Sequence, residues 1–259
     1  MDDFPKLFFK FRSLSGEKDV QRVLEIIDKN ALYFPSREEL NDPFESVGGR
    51  LNILNGYAGK SIAIATERET AGEVITRNKF RILSLSEECF SPNMWGLYAD
   101  SGRGLCLCFR TDKSFSEAKK VEYPNVDESL FKSVRDVTIE DLEEIVRNDL
   151  FYKNHDWIYE KEWRIIKKAK REDNSRFSFG KEELVAIIFG YNMNETMARM
   201  IHRFVSPNVK LFKAHVAMQS RQLIVLPYEY KIQYEGTWLM EQNEVIRSVS
   251  ELSEVVFGG

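Results

Sequence analysis

Asp156-Trp157-Ile158-Tyr159-Glu160-Lys161-Glu162-Trp163-Arg164-Ile165-Ile166 sets aromatic and aliphatic side chains beside a dense group of charges. It reads as a β-strand, along which successive side chains point to opposite faces. On such a strand Glu160, Glu162 and Arg164 share one face, while Lys161, Trp163 and Ile165 share the other. Carboxylates two residues apart repel, so one of them is expected to be restrained by an arginine or to have a raised pKa. Taken alone, the spacing favours a plainer alternative, a solvated ladder of ion pairs on an exposed sheet face. Its company shifts the balance: an early arginine-bearing strand, a serine-bearing strand and this Glu-x-Glu strand follow one another in that order.

The chain has 259 residues, 43% hydrophobic and 12% aromatic, enough to bury a sizeable core and without the signature of disorder. No apolar run approaches the roughly 20 residues of a membrane span. Met1-Asp2-Asp3-Phe4 lacks the basic and apolar parts of a signal peptide, so the expected location is the cytoplasm, away from membranes. Cys89, Cys106 and Cys108 fit a reducing compartment, with Cys106 and Cys108 expected in the core. His155, His202 and His215 are scattered and give no closing pair for a zinc site, so no metal is expected. A net charge of −4 leaves nucleic acid open as a partner, because local basic patches matter more than the total.

Nearer the N-terminus, Lys6 to Arg12 reads as a first strand ending at Arg12, and Val20, Val23, Leu24, Ile26 and Ile27 define the apolar face of a helix from Ser15 to Asn30. Ala31 to Ser36 is a short strand, and Asn41-Asp42-Pro43 is a turn anchored by Phe44. A helix is expected near 61–77. Arg81 to Glu87 is a strand on which Ser84 and Ser86 face the same way. Phe90 to Asp100 is a short helix carrying Met94, Trp95 and Tyr98. Ser101-Gly102-Arg103-Gly104 then turns into Leu105 to Phe109, a strand apolar on both faces and therefore central. Glycines there also allow the close approach of a ligand. Lys119 to Tyr123 is a further strand, and a charged amphipathic helix at 139–151 delivers the chain into Tyr152-Lys153-Asn154-His155-Asp156-Trp157. After the Glu-x-Glu strand come the basic run Lys167 to Arg171, a buried strand from Leu184, a helix from Asn194 to Phe204 and two closing strands, Val209 to Val216 and Gln222 to Leu226. One α+β domain over 1–259, with 228–259 as an appended C-terminal segment, accounts for this order.

Three blocks carry a family resemblance: Tyr33 to Glu45 (YFPSREELNDPFE), Ser84 to Phe109 (SLSE, then MWGLYADSGRGLCLCF) and Trp157 to Ile166 (WIYEKEWRII). They look like the blocks of a bacterial domain family without assigned function, marked by NDPFE and EKEWR, and their order resembles DarT-type toxins of the ADP-ribosyltransferase superfamily. The resemblance implies a split mixed or antiparallel β-sheet core flanked by helices. It implies NAD as co-substrate, with Glu162 as the catalytic carboxylate on the ribose hydroxyl and Glu160 orienting or deprotonating the acceptor. Arg12 would meet the pyrophosphate, with Arg37, Arg81 and Arg103 as rivals. Tyr33, Ser36, Asn41, Ser84, Ser86, Tyr98 and Arg103 would complete the NAD site. The middle strand departs from the family's usual pattern, reading Ser-Leu-Ser where Ser-Thr-Ser is commonest.

The same resemblance implies an acceptor held by Tyr152, Lys153, Trp157 and Arg164. Rings of that loop would stack on an unpaired base while Lys153, Lys167, Lys168, Lys170 and Arg171 contact phosphates, which favours nucleic acid over protein. A toxin or phage-defence role, with an antitoxin or regulatory partner, follows by association. Two other functions fit the residues. One is a non-catalytic binding domain of the same fold. The other is a metal-dependent nuclease using Glu160 and Glu162 together with Asp42, Glu45 and Asp100.

Overall fold

The computed structural model describes residues 4–42, 80–124, 147–148, 150–169, 175–228 and 245–258. The helix expected near 61–77, the body of that expected at 139–151, Pro43 to Glu45, Lys170 and Arg171, and most of the 228–259 segment lie outside them. The fold is mixed α and β, with a large mixed sheet accompanied by a few helices. The chain forms two compact units. One comprises 1–32, 85–116 and 178–259, and the other comprises 33–84 and 117–177.

In the first unit, β1 (Leu7–Arg12), β4 (Leu105–Arg110), β8 (Leu184–Phe189), β9 (Lys210–Ala217) and β10 (Gln222–Pro227) lie in the order β10-β9-β8-β4-β1. Only β8 and β9 run parallel within this set. Leu-Cys-Leu-Cys-Phe is apolar at every position because β4 is covered on both faces: Leu105 to Phe109 are all fully buried. β1 pairs along it from Leu7↔Arg110 to Arg12↔Leu105, which places Arg12 at the end of the ladder. The helix Glu17–Lys29 follows its apolar period, carrying Glu17 and Asp19 in the first turn, Lys29 in the last, and Asn30 in the left-handed region beyond it. Trp95, on the helix Pro92–Tyr98, is buried edge-on against Phe11 at 5.1 Å and donates its indole N–H to the Cys89 carbonyl.

The glycines of the 101–104 turn serve chain crossing. A Cβ at Gly104 would lie 2.1 Å from the Arg12 carbonyl oxygen, and one at Gly190 would lie 2.1 Å from that of Gly102. Part of the C-terminal segment packs in this unit: Ile246 bridges to Val225, and Leu252 on the helix Val249–Phe257 is fully buried.

In the second unit the order is β3-β6-β5, with β3 at Phe80–Ser86, β6 at Glu162–Lys168 and β5 at Lys119–Lys120. The end of β3 passes into the first unit, where Ser86 pairs with Phe9. Phe80, Ile82, Leu150 and Ile166 form an apolar cluster on one side. β2 (Ala31–Tyr33) and β7 (Arg176–Ser178) make a separate two-stranded sheet.

The decisive stretch departs from its expected form. His155–Glu160 is a 3₁₀ helix, and the strand begins only at Glu162. The Asn154 side chain accepts the Asp156 N–H and starts the turn, and Lys161 sits at φ 43°, in the left-handed region, where it turns the chain into β6. Glu160 is therefore not a strand residue. The helix is short, and among the described residues none is long and apolar enough to cross a membrane.

Candidate functional site

Three segments of the second unit meet at the start of β6. β5 lies antiparallel to β6 with Lys119 opposite Arg164, and Val121 N–H donates to the Glu162 carbonyl at 2.9 Å. Glu122 then clips the loop that enters the 3₁₀ helix: its N–H donates to the Phe151 carbonyl at 2.8 Å, and the Lys153 N–H donates to the Glu122 carbonyl at 3.0 Å. Lys153 is thus fixed beside the strand that carries Glu162.

Among the described residues the result is a buried cluster of four charged side chains. Arg164 has 0% exposure, Glu162 3%, and Glu160 and Lys153 4% each, so the exposed ion-pair ladder does not exist. Arg164 Nε donates to Glu162 Oε1 at 2.7 Å and Nη2 to Oε2 at 2.9 Å, while Nη1 donates to the Leu150 carbonyl at 2.5 Å. Lys153 Nζ lies 2.6 Å from Glu160 Oε2 and 3.2 Å from Glu162 Oε2. The Tyr123 hydroxyl accepts the Glu162 N–H at 2.9 Å. Burial pushes the Glu162 carboxyl upward, but Arg164 and Lys153, with hydrogen bonds from Arg164 and Ser84, overcome it and hold the group well below the usual carboxylate range. Burial, with the nearby carboxylates, pushes the Tyr123 phenol well up.

Half-buried rings border this cluster. The Lys153 ammonium stands 4.8 Å from the Trp157 ring centroid, and Trp157 and Tyr159 lie 6.1 Å apart. Lys119 and Lys120, both exposed, stand 5.8 Å from the rings of Phe151 and Trp163.

Of the residues expected at a site, the second unit brings together Glu160, Glu162, Ser84, Lys153, Arg164 and Trp157. Arg164 and Lys153, expected on an acceptor, are turned inward onto the carboxylates. Tyr152 is half-buried at the Glu122 bridge. Tyr33 and Ser36 belong to a different arrangement, in which the Tyr33 hydroxyl and the Ser36 N–H and hydroxyl all donate to Glu39. Asn41 is exposed.

In the first unit, Ser86 closes a local turn, its hydroxyl donating to the Glu88 carbonyl and accepting the Glu88 N–H. Tyr98 is half-buried, and Arg103 is an exposed partner of Asp100. Burial and the neighbouring Arg22 lower Arg12 to about 10, and among the described residues its buried Nε has no hydrogen-bond partner.

Residues 94–165 match the model of a family described as "Protein of unknown function (DUF2971)". That stretch is well under half of the chain, and it contains Tyr123, Lys153, Glu160, Glu162 and Arg164. No curated protein and no solved structure matches the chain.

Tyr123 gave no signal in the sequence as a site residue, since it acts across 39 positions through a backbone amide. Among the described residues no group of three or more His, Cys, Asp or Glu side chains is placed to hold a metal ion. Glu160 and Glu162, two of the carboxylates that a nuclease would use for metal, are bonded to Lys153 and Arg164 instead.

Proposed function

We propose that the protein is an NAD-dependent ADP-ribosyltransferase acting on nucleic acid, with Glu162 as the catalytic carboxylate. The observation that carries this reading is the buried Glu162 at the start of β6, tied to Arg164 at 2.7 and 2.9 Å and joined to Glu160 through Lys153, whose ammonium stands against the Trp157 ring. Cleavage of the nicotinamide–ribose bond sends its electron pair to the ring nitrogen and leaves positive charge on the sugar. A preorganised carboxylate favours that charge more in the transition state than in the ground state. Glu160 then takes the proton that the acceptor loses as its lone pair bonds to the ribose carbon. Lys119, Lys120 and the ring-bearing loop supply cations and stacking surfaces suited to a single strand. A toxin or phage-defence role in the cytoplasm, restrained by an antitoxin, is the biological form of this proposal. A protein acceptor is the variant reading.

One observation favours a second reading, a non-catalytic domain. Among the described residues the cluster is buried and pairs two carboxylates with two cations, as a structural element would. Incubation with labelled NAD and, separately, single-stranded RNA, single-stranded DNA, duplex DNA and extract protein separates the two. Transfer by wild type and its loss in folded Glu162→Gln is expected. Equal transfer by Glu162→Gln sinks the catalytic assignment, and binding without nicotinamide release by wild type favours the second reading.

A further inference from the structure

The cluster's two cations are held in different ways. Arg164 is fully buried, and its Nε, Nη1 and Nη2 donate to Glu162 and to the Leu150 carbonyl in a rigid fork. Lys153 reaches the cluster on a four-carbon stem and ends as a point charge, 2.6 Å from Glu160 and 3.2 Å from Glu162. Its ammonium also lies 4.8 Å from the Trp157 ring centroid. Two carboxylates and an aromatic ring are the groups with which proteins receive an organic cation. Lys153 fills that position from within the chain.

We propose that Lys153 is an internal competitor: its ammonium occupies a cation-binding position formed by Glu160, Glu162 and Trp157, and a cationic substrate enters only when that ammonium swings out. Among the described residues, the two carboxylates face two cations while Lys153 is in place, and these four groups have no net charge to offer a developing positive centre. With Lys153 withdrawn, the described groups that remain, Glu160, Glu162 and Arg164, sum to one negative charge. Arg164 stays because its guanidinium is tied at three nitrogens. The cation in view is the nicotinamide ribosyl group of NAD, so this identity of the ligand rests on the transferase reading, whereas the cation position itself does not.

The test uses the full chain as wild type, Lys153→Met and Lys153→Met/Glu160→Gln, the last restoring one anion against one cation. Nicotinamide release from NAD is measured, and thermal midpoints are compared in ethylammonium chloride and sodium chloride at equal ionic strength. Lys153→Met is expected to release nicotinamide at least about tenfold faster than wild type. Ethylammonium is expected to stabilise Lys153→Met specifically and to slow its turnover, leaving wild type and the double variant unaffected. Folded Lys153→Met with no faster release than an active wild type overturns the competitor role, and absence of ethylammonium-specific stabilisation overturns the cation site. If no form cleaves NAD but ethylammonium still stabilises Lys153→Met alone, the cation site stands and the transferase reading fails. Should Lys153→Met unfold by itself, recovery on refolding in ethylammonium but not sodium supports the site, and recovery in neither overturns it.

Discussion

Replacing Arg164 with leucine tests how far the cluster depends on one guanidinium. The substitution removes the hydrogen bonds that Arg164 gives to Glu162 and to the Leu150 carbonyl and leaves Glu162 buried against Lys153 at 3.2 Å. Breaking a buried pair from one side costs about 3–5 kcal/mol, chiefly because the remaining charge keeps its desolvation penalty. For a chain of this length that corresponds to a fall of roughly 6–20 °C in Tm. Equilibrium urea unfolding, followed by tryptophan fluorescence, is the assay, since Trp157 and Trp163 both lie in the same unit as the cluster. The double variant Arg164→Leu/Glu162→Gln is expected to recover part of the loss, with a coupling on the order of 1–3 kcal/mol. The pH dependence has a definite sign. Glu162 titrates lower folded than unfolded, so its contribution is fully present above an unfolded-state pKa of about 4.3 and is lost as pH falls below it. That acid-side slope is expected to flatten in Arg164→Leu. A loss below about 1 kcal/mol with an unchanged acid limb means that Glu162 is stabilised without Arg164.

Two further outcomes follow from the same geometry. Tyr123→Phe removes the acceptor of the Glu162 N–H and is expected to cost about 1–3 kcal/mol in urea unfolding; a neutral substitution shows that the bond contributes nothing to the start of β6. Cys89, Cys106 and Cys108 are fully buried, and burial raises the Cys89 and Cys106 thiols, so alkylation at pH 8 is expected to spare all three until denaturant is added; rapid native labelling contradicts the closed core.

Where local pattern and burial agree, the sequence was readable. β4 and β8 are continuous apolar runs because both faces are covered, and the helix Glu17–Lys29 shows its inner stripe at Val23, Ile26 and Ile27. The decisive stretch misled where those signals part. Trp157, Ile158 and Tyr159 have strand propensity, but the Asn154 cap and the left-handed Lys161 make that part a 3₁₀ helix. No propensity rule assigns a lysine a positive φ. The two-residue spacing did hold for Glu162 and Arg164, which pair on one face of β6. Their other partners, Lys153, Tyr123 and the Leu150 carbonyl, come from outside β6, and a single sequence carries no trace of those contacts.

The left-handed turn at Lys161 has a chemical consequence. On an uninterrupted strand, Glu160 and Glu162 would form a row along one face. The turn instead brings Glu160 in from a helix and Glu162 from a strand, so that one ammonium touches both carboxylates. Four charges are thereby buried beside the Leu150 segment of an apolar cluster. Stability alone is a poor account of such an arrangement, because well-packed hydrophobic residues in place of a buried ion pair are often as stable or more so. A buried cluster with one rigid cation and one on a flexible stem has what an apolar core lacks: it changes from neutral to anionic when a single side chain moves.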